Sequence, residues 1–80
     1  MKIREETLCP AHSWTQANNE EVREILAIAG LSGAKAAAFL GLGQGGDRTA
    51  RRWTRGEFNI SYASWALLVV KATGKKIWEE

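Results

Sequence analysis

The chain has 80 residues, of which 45% are hydrophobic, and its formal net charge is +2. A chain of this length forms one small domain, with enough apolar residues for a packed core and too many for a disordered protein. No apolar run reaches the roughly 18 residues of a membrane span, the N-terminus lacks the apolar stretch of a signal peptide, and one cysteine cannot form an internal disulfide. We therefore expect a cytoplasmic protein that does not associate with membranes.

The first part of the chain differs in pattern from the rest. Residues 1–17 show no helical periodicity and contain the single proline, Pro10. They predict an N-terminal arm, with a short strand over 3–8 as one option, ahead of a domain over 18–80. Cys9 and His12 have C-x-x-H spacing, but a structural zinc ion needs four ligands and the chain has no other Cys or His. We predict no metal site and no cofactor.

The first predicted helix has the clearest boundaries. Asn18 has the side chain of an N-cap, and Glu21, three residues later, completes a capping box. Gly30 is a typical residue for the left-handed position that ends a helix. Between these limits an apolar stripe at i, i+3, i+4 and i+7 predicts one buried face, made of Val22, Ile25, Leu26 and Ala29.

Three further helices follow, each after a capping residue and each ended by a glycine. The predicted spans are 33–40, 48–55 and 62–73, and the tail over 75–80 is predicted to be irregular or a short extension. The capping residues are Ser32, Asp47 and Ser61, and the terminating glycines are Gly41, Gly56 and Gly74. The predicted fold class is all-α, a small bundle of four to five helices.

The stretch "GLGQGGDRTARRW" over 41–53 contains two conflicting patterns. Its first six residues satisfy G-x-G-x-x-G, which binds dinucleotides only between a strand and a helix. Here alanine-rich, helix-forming sequence precedes it, and Asp47 and Arg48 replace the Lys and Ser/Thr of a P-loop. We interpret the glycines as a turn between two helices and predict no small-molecule ligand.

The second half of the stretch favours double-stranded DNA. At about 100° per residue, four arginines of helix 48–55 share one arc, while Ala50 and Trp53 lie on the opposite side. The planar guanidinium fork makes paired hydrogen bonds to phosphate or to the edge of guanine. No acid within this helix is placed to pair with the four arginines, and only Asp47, at its start, is available, to Arg51. The four arginines are Arg48, Arg51, Arg52 and Arg55.

Residues 22–68 resemble the helix-turn-helix of the Cro/CI-type (XRE) repressors. The resemblance lies in "AGLSGAKAAAFLGLG" and "RTARRWTRGEFNISYASWALL", and it is greatest to compact members encoded by phages and mobile elements, including anti-CRISPR-associated regulators. It implies a lambda-repressor-like DNA-binding domain in which 33–40 is the positioning helix and 48–55 the recognition helix in the major groove. It also implies that Ala37 is kept small for helix packing and that Trp53 and Trp65 lie in the core.

The chain departs from this family in two places. The turn through "QGGD" is about three residues longer than usual, and Gly33 stands where many members have a glutamine that contacts the DNA backbone. Lys35, or the amides behind Ser32, is predicted to take over that contact. The predicted DNA-binding residues are Arg48, Thr49, Arg51, Arg52, Arg55, Gln44, Lys35 and Ser32.

The fourth predicted helix is apolar around nearly its whole circumference, leaving only Ser64 and Lys71 polar. Such a helix is buried. Either it lies deep in the core of one chain, or part of it meets a second copy in a homodimer, and the sequence leaves both open. The predicted interface residues are Trp65, Leu68, Val69, Ala72, Ile77 and Trp78.

Together these patterns predict a sequence-specific transcriptional regulator, a dimeric repressor that binds an inverted-repeat operator. Repression of its own promoter is implied by the family resemblance alone. The alternative is an antitoxin-type module whose main role is to bind a partner protein, with DNA binding secondary. Single-stranded RNA binding requires exposed aromatics, whereas Trp53 is predicted to face inward. With one histidine and no Ser-His-Asp set or paired carboxylates facing a pocket, no enzyme is expected.

Overall fold

The computed structural model describes residues 3–79, which contain two short 3-10 turns and four α-helices. No strand occurs in this part of the chain. The predicted all-α class is confirmed, and the optional strand over 3–8 is wrong. Residues Glu5–Thr7 form a 3-10 turn because the backbone N–H of Leu8 donates to the Glu5 carbonyl, 2.8 Å away, and not to a neighbouring strand. The α-helices are α1 (Asn19–Ala29), α2 (Gly33–Leu40), α3 (Gly46–Arg55) and α4 (Tyr62–Thr73).

The predicted capping residues fix the limits of α1, α2 and α4. At α1, the Asn18 side chain accepts from the Glu21 N–H and the Glu21 carboxylate accepts from the Asn18 N–H, each at 2.8 Å. Ser32 and Ser61 cap α2 and α4 in the same way. All four helices end at a left-handed glycine with φ between 68° and 80°. These predictions from local sequence are confirmed.

The core lies where α1 packs on α4 and α3 packs on both α1 and α2. Its largest members come from the inner faces of these helices and from two residues outside them. These side chains are nearly or fully inaccessible to solvent: Val22, Ile25, Trp53, Ile60, Trp65, Leu68, Val69 and Ile77.

The segment before α1 is packed onto this core. The carbonyl of Thr7 accepts hydrogen bonds from two indoles, Trp65 Nε1 at 2.7 Å and Trp14 Nε1 at 3.0 Å. The hydroxyl of Tyr62 donates to the Cys9 carbonyl at 3.0 Å. Burial raises the pKa of that hydroxyl above its ordinary value, and Cys9 adds to the rise. Residues 3–17 are thereby joined to α4, and the division of the chain at residue 17 stays a prediction.

Besides capping α1, Glu21 binds Arg4, a contact that the capping pattern does not predict. Its carboxylate is buried and accepts from the Arg4 backbone N–H at 2.9 Å and from the guanidinium at 2.9 and 3.0 Å. Burial alone would raise the pKa of this carboxyl, but the hydrogen bonds from Arg4 and from the Asn18 backbone outweigh it and lower the pKa below its ordinary value. The start of α1 and the N-terminal segment therefore share one buried charge.

This charge makes stability depend on pH. Because the folded pKa of Glu21 is lowered, its contribution is present above the unfolded pKa and is lost as the pH falls through the folded pKa. We expect Glu21→Gln to lower the free energy of unfolding at pH 7 by about 1–3 kcal/mol and to lose less stability than the parent between about pH 5 and pH 3. Urea unfolding across this range measures both. Glu20→Gln, at an exposed neighbour, is the control, and equal pH slopes for parent and Glu21→Gln would refute the assignment.

Candidate nucleic-acid interface

The helices α2 and α3 form a helix-turn-helix unit joined by residues 41–45. The start of α3 differs from the prediction, since the helix begins at Gly46 and not at 48. Gly45, with φ of 79°, occupies the cap position, and its carbonyl accepts from the N–H groups of Arg48 and Thr49 at 3.2 and 3.3 Å. Asp47 lies in the first turn of the helix and does not cap it. The turn is therefore two residues shorter than the sequence suggested.

Gly46 sets how closely α3 approaches α2. A Cβ atom added there would lie 2.7 Å from the Leu42 Cβ and 3.0 Å from the Ala37 Cβ. The first distance is shorter than carbon atoms tolerate and the second is tighter than most such contacts, so a side chain at position 46 requires α2 and α3 to shift. Ala37 is buried at the same contact, as its predicted packing role requires. In the sequence, the pattern that indicates this close packing is the small residue Ala37 before the turn and Gly46 after it.

Two glycines of this unit provide a matched test of that packing. We expect Gly46→Ala to lower the free energy of unfolding by about 1–3 kcal/mol, because the added methyl forces α2 and α3 apart. Gly33→Ala should be neutral or stabilise by up to about 1 kcal/mol, because a Cβ there makes only ordinary contacts of 3.7–3.9 Å. Thermal and urea unfolding of both variants measure the difference. Equal stability of the two would contradict the role of Gly46.

The predicted division of α3 into two faces is confirmed. Ala50 is fully buried and Trp53 is 6% exposed. On the opposite side Arg52 is half-buried and the other three arginines are exposed. The four arginines, together with Glu57, line an open cleft of about 270 Å³. We call this surface the arginine face, and it consists of Arg48, Arg51, Arg52 and Arg55.

The four guanidinium groups have different surroundings. Arg51 pairs with Asp47 at 3.3 Å, as predicted, and Arg55 pairs with Glu57 at 3.8 Å, a pair that was not predicted. Exposed pairs of this kind contribute little to stability and can exchange partners. Arg52 lies over the ring of Phe58. No ion pair or ring contact within residues 3–79 holds Arg48, so its donors are available to a ligand.

The end of α3 is fixed by contacts that sequence periodicity could not reveal. A guanidinium nitrogen of Arg23, on α1, donates to the Thr54 carbonyl at 2.7 Å. The N–H groups of Glu57 and Phe58 donate to the Arg52 carbonyl at 2.9 and 3.3 Å. The last turn of α3 and the residues that follow it are therefore held in place beside the arginine face.

The remaining predicted contact residues lie on α2, on α3 and in the turn between them. Thr49 is half-buried, and Gln44 and Lys35 are exposed. The Ser32 hydroxyl accepts from the Lys35 N–H at 3.2 Å and caps α2. A second open cleft, beside the glycines of the turn, is lined mainly by small apolar residues, and its one charged lining residue is Asp47. A carboxylate there would repel the phosphates of a nucleotide.

Most of the predicted dimer residues are internal to the chain. Trp65, Leu68, Val69 and Ile77 are at most 2% exposed. They lie in the core of one copy because α1 and the N-terminal segment cover that side of α4, and their part in an interface between copies stays a prediction. Ala72 is half-buried and Trp78 is 44% exposed. The dimer itself stays a prediction.

Residues 3–79 contain neither a membrane-spanning helix nor a cluster of metal-binding side chains. No helix of the described part of the chain is long and apolar enough to cross a membrane. Residues 3–79 contain no cluster of three or more His, Cys, Asp or Glu side chains that could hold a metal ion, and the Cys9 thiol donates to the carbonyls of Glu6 and Ser13.

Comparison with known proteins identifies relatives over nearly the whole chain. No protein-family model and no solved structure matches it. A transcriptional repressor protein KorC of Escherichia coli is 55% identical over 78 residues, which cover 98% of this chain and 92% of the relative. A second KorC repressor of the same organism is 48% identical over 79 residues, covering 99% and 93%. The chain therefore belongs to the family of KorC transcriptional repressor proteins.

Proposed function

We propose that this protein is a transcriptional repressor that binds double-stranded DNA in a sequence-specific manner through α3. The observation that carries the proposal is the arginine face, with four guanidinium groups opposite the buried Trp53. The name of its relatives, transcriptional repressor, supports the same role. Repression would follow from occlusion, since a protein bound at a promoter excludes polymerase from it.

The resemblance to Cro/CI-type repressors suggests how the DNA is bound. In that arrangement the recognition helix lies in the major groove with its N-terminal residues at the base edges. Arg48 is in the first turns of α3 and has no partner among the described residues, so we assign base reading to it. Arg51, Arg52 and Arg55 are assigned to phosphates. We assign further DNA contacts, next to those of the arginines, to Thr49 on α3 and to three residues near the starts of α2 and α3. These three are Gln44, Lys35 and Ser32.

The finer classification rests on the resemblance. Assignment to the compact Cro/CI-type regulators of phages and mobile elements, including anti-CRISPR-associated ones, stays a prediction. Repression of the protein's own promoter follows from the same resemblance.

DNase footprinting of the purified protein on the region upstream of its own reading frame tests the proposal. We expect one protected site there and none on a scrambled duplex, and absence of any protection at low salt would refute DNA binding at that promoter.

We also propose that the active form is a homodimer on an inverted repeat. One recognition helix reads only a few base pairs, too few to find a single site in a genome, and a two-fold pair doubles that information. Two of the predicted interface residues are accessible, Trp78 at 44% exposure and the half-buried Ala72, and Leu67 of α4 is 43% exposed.

Sedimentation at micromolar concentration tests the dimer. We expect about twice the chain mass for the parent and a lower mass for a folded Trp78→Glu variant. Leu68→Glu should instead unfold the chain, because that side chain is fully buried in one copy. A monomeric parent with an asymmetric footprint would contradict the two-fold arrangement.

A further inference from the structure

Phe58 is an aromatic residue with no role in the core. It is 53% exposed, more than any other large hydrophobic side chain of residues 3–79. It follows α3 by three residues, and its backbone N–H donates to the Arg52 carbonyl at 3.3 Å. The position of its backbone is thus tied to the last turns of α3, beside the arginine face.

The ring of Phe58 contacts one guanidinium group of that face. The Arg52 guanidinium carbon lies 4.8 Å from the ring centroid, within the range of a cation–π interaction. Such a contact holds the guanidinium without a hydrogen-bond acceptor and so leaves its N–H donors uncommitted. Arg51 and Arg55 differ, since each is held through a nitrogen by a carboxylate.

This difference matters for binding an anion. A carboxylate partner competes with a phosphate for the same donors and repels it, whereas an aromatic ring does neither. A guanidinium that is already oriented also loses less side-chain entropy when it binds. Arg52, which the Phe58 ring contacts, is therefore better prepared for a phosphate than Arg51 and Arg55, which carboxylates hold.

We propose that Phe58 is a positioning residue for DNA binding, whose ring holds the Arg52 guanidinium so that its donors meet a backbone phosphate. This inference rests on the proposed DNA-binding function. Through Phe58, the loop after α3 would raise the affinity for DNA even if the ring touches no base.

The first experiment compares substitutions at Phe58 by fluorescence anisotropy on the footprinted duplex. We expect Phe58→Ala and Phe58→Leu to weaken binding about two- to five-fold, the range of an exposed cation–π contact, and Phe58→Tyr to bind like the parent. Phe39→Ala is the matched control, because Phe39 is 42% exposed and its ring lies 5.8 Å from the Lys71 ammonium, outside α3. It should not alter binding.

A double-mutant cycle separates positioning from other roles of the ring. In an Arg52→Ala background at low salt, Phe58→Ala should have no further effect. The same loss in both backgrounds would overturn the proposal, as would normal binding by Phe58→Ala. A lower Tm for Phe58→Ala, with binding restored on cooling, would also overturn it in favour of a role in stability. A parent protein that binds no duplex would refute the proposed function itself.

Discussion

Replacing Trp53 by alanine should lower the free energy of unfolding by about 3–5 kcal/mol, most of the stability of a domain this small. Trp53 is 6% exposed and belongs to the same buried cluster as Val22 and Ile25 of α1. It is the one aromatic residue on the inner face of α3. Removing the indole leaves a cavity that the short helices around it cannot close.

Urea unfolding followed by circular dichroism measures this effect, and it suits a chain with four tryptophans better than fluorescence does. Trp53→Phe should retain a large part of the stability because it keeps an aromatic ring in the site. Phe39→Ala, which removes an exposed aromatic, should cost far less. An unchanged unfolding curve for Trp53→Ala, together with lost DNA binding, would make Trp53 a contact residue and overturn its place in the core.

Substitutions on the arginine face should separate base reading from phosphate binding. Arg48→Ala is expected to cost about 1–3 kcal/mol on the operator and to relax the preference at one position of each half-site. Arg51→Ala and Arg52→Ala should weaken binding to all sequences alike, and each lost phosphate contact should reduce the slope of log K against log salt by about 0.9. The different surroundings of the guanidinium groups motivate this division.

DNA binding measured over a range of salt concentrations tests which arginines contact phosphates. Circular dichroism checks that each variant is folded. Lys76→Ala is the control, because Lys76 is an exposed cation in the tail, outside α2 and α3. Folded Arg51→Ala and Arg52→Ala proteins that bind like the parent, with an unaltered salt slope, would refute the phosphate contacts.

The helices could be predicted where their limits depend on local chemistry. Asn18, Ser32 and Ser61 cap through hydrogen bonds three residues along the chain, so sequence alone locates them. The start of α3 could not be found in this way. A helix that begins at a glycine is expected only if one knows that Gly46 meets Ala37 and Leu42 from the preceding helix and turn.

The packing of α4 was left undecided by its sequence. Its apolar circumference fits a core helix and a dimer helix equally well, and the choice depends on what covers it. The covering segment is irregular, and its Thr7 carbonyl accepts from two indoles far apart in sequence. No periodicity reports such a contact, and the Arg4–Glu21 ion pair was missed for the same reason.

Much of the candidate site followed from helical geometry. The spacing of the arginines placed them on one side of α3, and the four-residue separation of Asp47 and Arg51 predicted their ion pair. Glu57 and Phe58 were not predicted because they follow Gly56, where the backbone turns out of the helix with φ of 80°. Their directions depend on that turn and on its hydrogen bonds to Arg52, not on any helical repeat.

Selection from a randomised double-stranded DNA library tests most directly whether α3 reads sequence through its arginine face. The parent should enrich one inverted repeat with half-site centres about 34 Å apart, one turn of the double helix. Arg48→Ala should enrich the same repeat with one symmetric position of each half-site made degenerate. No enrichment by the parent, or an unchanged preference at every position in Arg48→Ala, would contradict the account.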